Sequence, residues 1–257
     1  METEREQRDR ELFNVHAQAY SLKDLYRPSA LARERRLRAT LAVLPLDTNV
    51  RVLEVGCGAG FSARYLEGLY SEFVGIDYAE NLIACAQEYN GTDRAHFLAV
   101  HAKEYRPDQA FDVVLMVGVL HHFDEIEKTL RDILTLVKPG GWILANEPQG
   151  GNVLIQGARK VRSWVDSAYS PEQTQFTPEA LGGLFHGVGL HDIRIVPQGL
   201  FSTPFAEVML KPETFFLPLS KGCIAMDRWA ERVLGRYLSS ISWNVIAAGR
   251  RPQEGRS

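Results

Sequence analysis

Val52-Leu-Glu-Val-Gly-Cys-Gly-Ala-Gly60 runs from an apolar segment directly into three glycines on alternate positions. With Val50 ahead of it, the apolar half has the make-up of a short buried strand, and Phe61 to about Leu69 reads as the helix that follows. Glycine belongs at such a strand-to-helix turn because a ligand lying against the backbone leaves no room for Cβ atoms. The next apolar run, Phe73-Val-Gly-Ile-Asp77, ends in a carboxylate 17 residues past Gly60. A strand–helix–strand unit puts an acceptor for ribose hydroxyls there.

The spacing narrows the ligand. A dinucleotide turn needs G-x-G-x-x-G, so that a pyrophosphate can rest on the helix N-terminus. Here the order is G-x-G-x-G, and Phe61 stands where the third glycine of an NAD site belongs. Glu54, two residues before the first glycine, opposes an anionic pyrophosphate. Acids on both sides of the turn suit a ligand carrying an amino group, a ribose and a cationic sulfonium.

The E-x-G-x-G-x-G turn with Asp77 resembles the first motif of class I S-adenosylmethionine-dependent methyltransferases. Phe111-Asp-Val-Val-Leu-Met-Val117 and the loop Gly118-Val-Leu-His-His-Phe123 resemble that family's fourth strand and its loop. Leu136-Val-Lys-Pro-Gly-Gly-Trp-Ile-Leu-Ala145 resembles the helix end, Pro-Gly-Gly turn and fifth strand. Phe13-Asn-Val-His-Ala-Gln-Ala-Tyr20 is similar to the segment that precedes the core in small-molecule members. The blocks cover about residues 13 to 147, in the family's order.

Alternating strands near 50–55, 73–77, 95–100, 111–117 and 141–146, with helices near 60–69, 79–89 and 124–137, predict a parallel α/β sheet covered on both faces. The resemblance implies a Rossmann-like seven-stranded sheet whose last strand, Ile241–Ala248, is antiparallel. A helical N-terminal lid is expected over 1–45, with helices at 12–26 and 29–44 and a frayed, charged start at 1–11. The core is expected over 46–257, with helical cap insertions at 149–176 and 197–240. Within these, 152–168 and Ile224–Leu238 are read as helices. Thr177-Pro-Glu-Ala opens another helix, to about Val188, with an N-cap threonine and proline at the first position.

The resemblance carries roles onto single residues. Gly56, Cys57, Gly58 and Gly60 line the cofactor's methionine part, and Glu54 orients its amino group. Asp77 accepts the ribose hydroxyls through charge-assisted hydrogen bonds, and Tyr78 packs on the ribose or adenine. His101-Ala102 stand where the family commonly has Asp-Ala beside the adenine. Val117 and Gly118 touch the methionine moiety, and Tyr20 either closes over the cofactor or anchors the lid. S-adenosylhomocysteine is the expected product.

Methyl transfer from a sulfonium needs no protein nucleophile; positioning and exclusion of water supply much of the rate. A hydroxyl acceptor benefits from a general base, for which His121 and His122 are the candidates, since histidine titrates near operating pH. Their plain alternative is helix capping and packing beneath the cofactor. Glu147 ends the fifth strand and faces the same crevice, either binding an acceptor amine or hydroxyl or standing as a plain strand-terminal acid; Trp164, Tyr169 and Phe201 from the cap segments are expected to meet the acceptor. Expected, then, is methyl transfer to a small, partly apolar acceptor, with oxygen favoured. The alternatives are a lipid-linked or anionic acceptor and a catalytically silent cofactor-binding scaffold.

Val117-Gly-Val-Leu offers no acid for a divalent metal, so none is expected. A net charge of −3 over 257 residues gives no general pull on nucleic acid. Three widely spaced cysteines, Cys57, Cys85 and Cys223, make no disulfide framework. No apolar run reaches membrane-spanning length, and the charged N-terminus predicts a cytoplasmic location. Arg228, Arg232 and Arg236 form a stripe opposite Trp229, Val233 and Tyr237, either a solvated face or a peripheral contact with anionic lipid. The sequence leaves the oligomeric state open.

Overall fold

Period-two alternation along the strands divides the core between the two faces of one sheet. On one face Val52, Val113 and Leu115 pack with Leu37, Leu41, Leu82 and Ile83; on the other Leu53, Val55, Val114 and Met116 pack with Leu130, Ile133, Leu181 and Phe185. Each fully buried Leu, Ile or Phe contributes roughly 1.5–3 kcal/mol, which makes this double-sided burial the main stabilising term.

The computed structural model describes residues 3–46, 49–150, 152 and 176–253. Two helices lead, α1 (Glu4–Leu25) and α2 (Arg27–Leu41). The sheet begins with β1 (Arg51–Val55), α3 (Phe61–Tyr65), β2 (Glu72–Asp77), α4 (Glu80–Asn90) and β3 (Ala95–Ala99). It continues with β4 (Phe111–Val117), a short 3-10 turn (Leu120–His122), α5 (Ile126–Leu134) and β5 (Val137–Pro148). Then come α6 (Pro178–Gly187), β6 (His191–Gln198), α7 (Thr203–Glu207), α8 (Glu213–Leu234) and β7 (Asn244–Arg250). The seven strands order as β3-β2-β1-β4-β5-β7-β6, with β7 antiparallel to both neighbours. The order reverses between β1 and β4, so the crevice beyond their carboxyl ends is the ligand position such sheets provide. Among the described residues no helix is long and apolar enough to cross a membrane.

Three expectations are corrected. The start is helical from Glu4 rather than frayed, because Thr3 and Glu6 form a reciprocal capping box and Lys103 pairs with Glu6. Lys138-Pro-Gly-Gly141 is no turn ahead of the fifth strand: β5 already pairs at Val137, and these residues form a register irregularity within it. The helix expected from Ile224 begins at Glu213, running through Pro218, and stops at Gly235. The helix expected at 152–168 lies, apart from Asn152, outside the described residues. Thr177 caps α6 as its sequence predicts, accepting from the Ala180 N–H.

Candidate active site

A cavity of about 670 Å³ opens at the carboxyl ends of β1, β2 and β4. One side is built by the glycine turn, Asp77, Tyr78 and the Val117–His122 loop; the other by α1, α2, α7 and the residues before β7. Volume and position both suit a small-molecule site.

The glycine turn works differently from expectation at two of its three positions. All three glycines hold positive φ. A Cβ on Gly56 would strike Val119 at 2.4 Å, and one on Gly60 would strike Phe97 at 2.5 Å. Protein packing, not a ligand, therefore demands glycine there. Beside Gly58 no described atom lies within 4 Å of a Cβ, so that is the open side of the cradle. Cys57 is buried, and burial drives its thiol well above its ordinary range, which leaves it unreactive.

Two carboxylates stand in the wall on this side, Glu54 and Asp77. Asp77 Oδ2 accepts from the Gly58 N–H and Oδ1 from the Ala79 N–H, both at 2.9 Å. One side chain thus fixes the turn and the start of α4 together, and each oxygen keeps a further lone pair. Burial raises its pKa, against those same backbone hydrogen bonds. Glu54 is buried too; its Oε1 accepts from Ser62 at 2.7 Å, while Oε2 has no hydrogen-bond partner among the described residues. Burial pushes the Glu54 carboxyl up to about 8, with Ser62 opposing and Asp77 adding to the rise. An orphaned buried acceptor in a cavity wall calls for a cationic donor from the ligand.

The histidine loop is held by carboxylates as well. Glu147 Oε1 accepts from the backbone N–H groups of Val119 and Leu120, and Oε2 meets His121 Nδ1 at 2.7 Å. Fully buried, Glu147 does not line the cavity. Its expected contact with an acceptor gives way to a positioning role, since every described donor around it belongs to the loop. With Nδ1 donating to that carboxylate, Nε2 carries the lone pair of His121, whose side chain lines the cavity. His122 Nδ1 meets Asp9 Oδ2 of α1 at 2.9 Å, and its ring sits edge-on to Phe13. Arg5 donates to the His121 carbonyl and pairs with Asp124, so the first turns of α1 clamp the loop from outside.

Of the remaining expected site residues, Tyr20, Tyr78, Val117 and Gly118 line the cavity. His101 and Ala102 do not. His101 stacks behind Tyr78 at 6.0 Å and accepts from the Lys103 N–H, while Ala102 packs against the core. Phe201 is exposed and away from the cavity, while Trp164 and Tyr169 lie outside the described residues. Among the described residues, part of the cavity wall is polar. Lys23, Arg33 and Arg36 face it with Asp24 and Glu207. Arg33 donates to Asp24 at 2.6 Å and to the Ala206 carbonyl; Arg36 pairs with Glu207 at 3.1 Å, its Nε buried with no partner among the described residues. Burial alone would lower the Arg33 pKa, but Asp24 and Glu207 carry it higher.

Sequence reading missed Asn146, Asn244 and Trp243, all cavity-lining. Asn146 donates to Thr40 and Gln198 at 2.6 Å, leaving its Oδ1 without a described partner, as is Asn244 Nδ2. A polar residue ending the otherwise apolar Trp142–Ala145 run was the available signal for Asn146.

Comparison with known proteins finds methyltransferases by sequence and by fold. A family model described as a methyltransferase domain matches residues 53–145. The ubiquinone biosynthesis O-methyltransferase of Rhodopseudomonas palustris (strain HaA2) is 27% identical over 67% of this chain and 70% of its own length. That of Albidiferax ferrireducens is 28% identical over 68% and 72%. Among solved structures, a possible histamine N-methyltransferase from Thermotoga maritima superposes with a TM-score of 0.64 at 20% identity, covering 94% of this chain and 98% of its own. Phosphoethanolamine N-methyltransferase 2 of Haemonchus contortus, solved with S-adenosylhomocysteine, gives 0.58 at 21% identity over 85% and 52%.

Proposed function

We propose an oxygen-directed activity for this chain, which is a class I S-adenosylmethionine-dependent methyltransferase. In this reading the acceptor is a small, partly apolar hydroxyl compound and His121 removes its proton. The observation that carries the proposal is the His121–Glu147 pair at the cavity wall. A base on the loop after β4 has little purpose unless the acceptor must lose a proton. The name of the relatives, O-methyltransferase, supports the same choice.

The cofactor fits residues already described: Asp77 offers lone pairs to a ribose diol, the orphaned Glu54 Oε2 to an ammonium group, and Gly58 an open backbone. When bound, the cofactor supplies a methyl group activated by its sulfonium for in-line displacement. Gly56, Gly60, Val117 and Gly118 line the methionine side, with Tyr20 and Tyr78 against the remainder. His121 Cε1 lies 3.9 Å from where a Cβ on Gly118 would stand, next to that side. His122 bears electrostatically on Asp77 and is anchored by α1, so we assign it to holding the cofactor and the lid. Residues 1–45 act as that lid, excluding water as α1 closes on the histidine loop.

Arg36 favours a second reading, in which the acceptor carries a carboxylate or phosphate. Its buried, unpartnered Nε would gain an anionic partner beside Lys23 and Arg33. Incorporation of labelled methyl groups into hydroxylated, carboxylated and amine acceptors tests both readings, and a silent scaffold as well. The account expects hydroxyl methylation that falls by about 10²–10⁴ in His121→Ala, with S-adenosylhomocysteine affinity kept. Methylation of amines alone, or unchanged turnover in His121→Ala, contradicts it.

A further inference from the structure

We propose that the outward face of α8 seats the protein on an anionic membrane surface. The helix has 22 residues, about 33 Å of length. Phe215, Leu219, Met226, Trp229 and Val233 recur along it at helical spacing, and all five are exposed, Phe215 and Trp229 at 63%. Soluble surfaces carry scattered apolar residues, but a continuous stripe this long marks a surface that meets something. Tyr237 and Ile241 continue the exposed apolar residues past the end of the helix.

Charge identifies the occupant. Lys221, Arg228 and Arg232 are exposed and, spaced by seven and four, form one row on the solvent flank of the helix, next to the apolar stripe rather than opposite it. The helix's acids do not neutralise them, because each is engaged elsewhere. Asp227 is buried and accepts from the backbone of Leu200, Phe201 and Ser202, capping the loop before α7. Glu231 pairs with Arg35 and accepts from the Gly199 N–H; Glu213 pairs with Arg27 at 3.7 Å. The acids that dilute the stripe in the sequence therefore face inward or sideways in the fold, leaving cations beside bulky apolar side chains. Interfacial helices combine the two in this way, the apolar face entering the acyl boundary while the cations meet anionic headgroups. A twofold copy of the chain on this face would bring like charges together, which disfavours self-association.

Position adds a consequence. Asp227 fixes the entrance to α7, and α7 with Val208 forms part of the cavity wall. Val208 is itself exposed, so the cavity reaches the surface close to the start of α8. A protein resting on α8 would hold that opening beside the lipid. This docking stands whatever the acceptor proves to be.

Flotation of the full chain with phosphatidylcholine vesicles, with and without about one-third phosphatidylglycerol, tests the proposal. Binding is expected on the anionic vesicles, weakening as salt rises from about 0.05 M to about 0.5 M. Arg228→Ala/Arg232→Ala should bind about 25-fold more weakly, at roughly fivefold per cation. Met226→Glu/Trp229→Glu should abolish binding, and S-adenosylhomocysteine affinity should be unchanged in both, reporting an intact fold. Absence of binding to either vesicle, or wild-type binding by both variants, overturns the proposal. Concentration-dependent dimers that disappear in Met226→Glu/Trp229→Glu, with no vesicle binding, would assign the face to a second copy instead.

Discussion

The two sides of the cavity are built on opposite plans. The side formed by the glycine turn, Asp77 and the histidine loop rests on strand ends, and its carboxylates are pinned by backbone N–H groups: Asp77 by Gly58 and Ala79, Glu147 by Val119 and Leu120. The side formed by α1, α2 and α7 is held by side-chain ion pairs between separate helices, Arg33 with Asp24 and Arg36 with Glu207. Backbone anchoring fixes geometry with few rotatable bonds. Side-chain pairing leaves more freedom to the wall proposed to meet the acceptor. The comparison teaches that the side proposed for the cofactor is fixed and the side proposed for the acceptor is adjustable.

Asp77→Ala should break the first side most severely. It removes two backbone anchors and both lone-pair positions for a ribose, so S-adenosylhomocysteine affinity should fall by about two orders of magnitude or more. Glu147→Gln sharpens the same point without touching either ligand. Loss of the carboxylate frees the His121 tautomer, and kcat should drop by about 10–100-fold with the acceptor KM little changed. A matching fall in cofactor affinity would show instead that the loop had collapsed.

Glu54 makes the comparison pH-dependent. Burial lifts its carboxyl from 4.5 to about 8 in the ligand-free protein. Folded above unfolded, the group contributes stability that is fully present below about 4.5 and is lost as pH rises through about 8. An ammonium group brought to Oε2 favours the charged form, so binding between these values should release a proton and tighten as pH rises. Calorimetry in buffers of different ionisation enthalpy reads that proton, and Glu54→Gln should remove it.

On the second side effects should be smaller. Arg36→Ala should raise the acceptor KM by about 2–12-fold and leave cofactor affinity alone, since only one pair and one unpartnered Nε are lost. Arg5→Ala, which frees the lid from the histidine loop, should cost less than about fivefold in kcat, as partly exposed pairs are weak.

Legibility in the sequence follows the same division. β1, β2 and β4 and their loops announce themselves because each function depends on a local pattern: alternate glycines, an acid closing an apolar run, a histidine pair. The acceptor wall gathers Arg33, Arg36, Glu207, Trp243 and Asn244 from segments far apart, and no local spacing carries that meeting. The sequence places Glu147 at the end of its strand, but only the fold shows Val119 and Leu120 turning their N–H groups onto it. The α8 acids carry the same lesson: Arg35 and the loop before α7 draw Glu231 and Asp227 inward, a meeting no local spacing shows. His101 stands in place of the family's acid and points to Glu6, whose helix the charged composition conceals.

Titration of the purified chain with S-adenosylhomocysteine, beside Asp77→Ala, tests the cofactor assignment most directly. One molecule bound per chain, with that heat lost in the variant, is the predicted result. No heat at saturating ligand, or equal affinity in the two proteins, would contradict the assignment of this cavity.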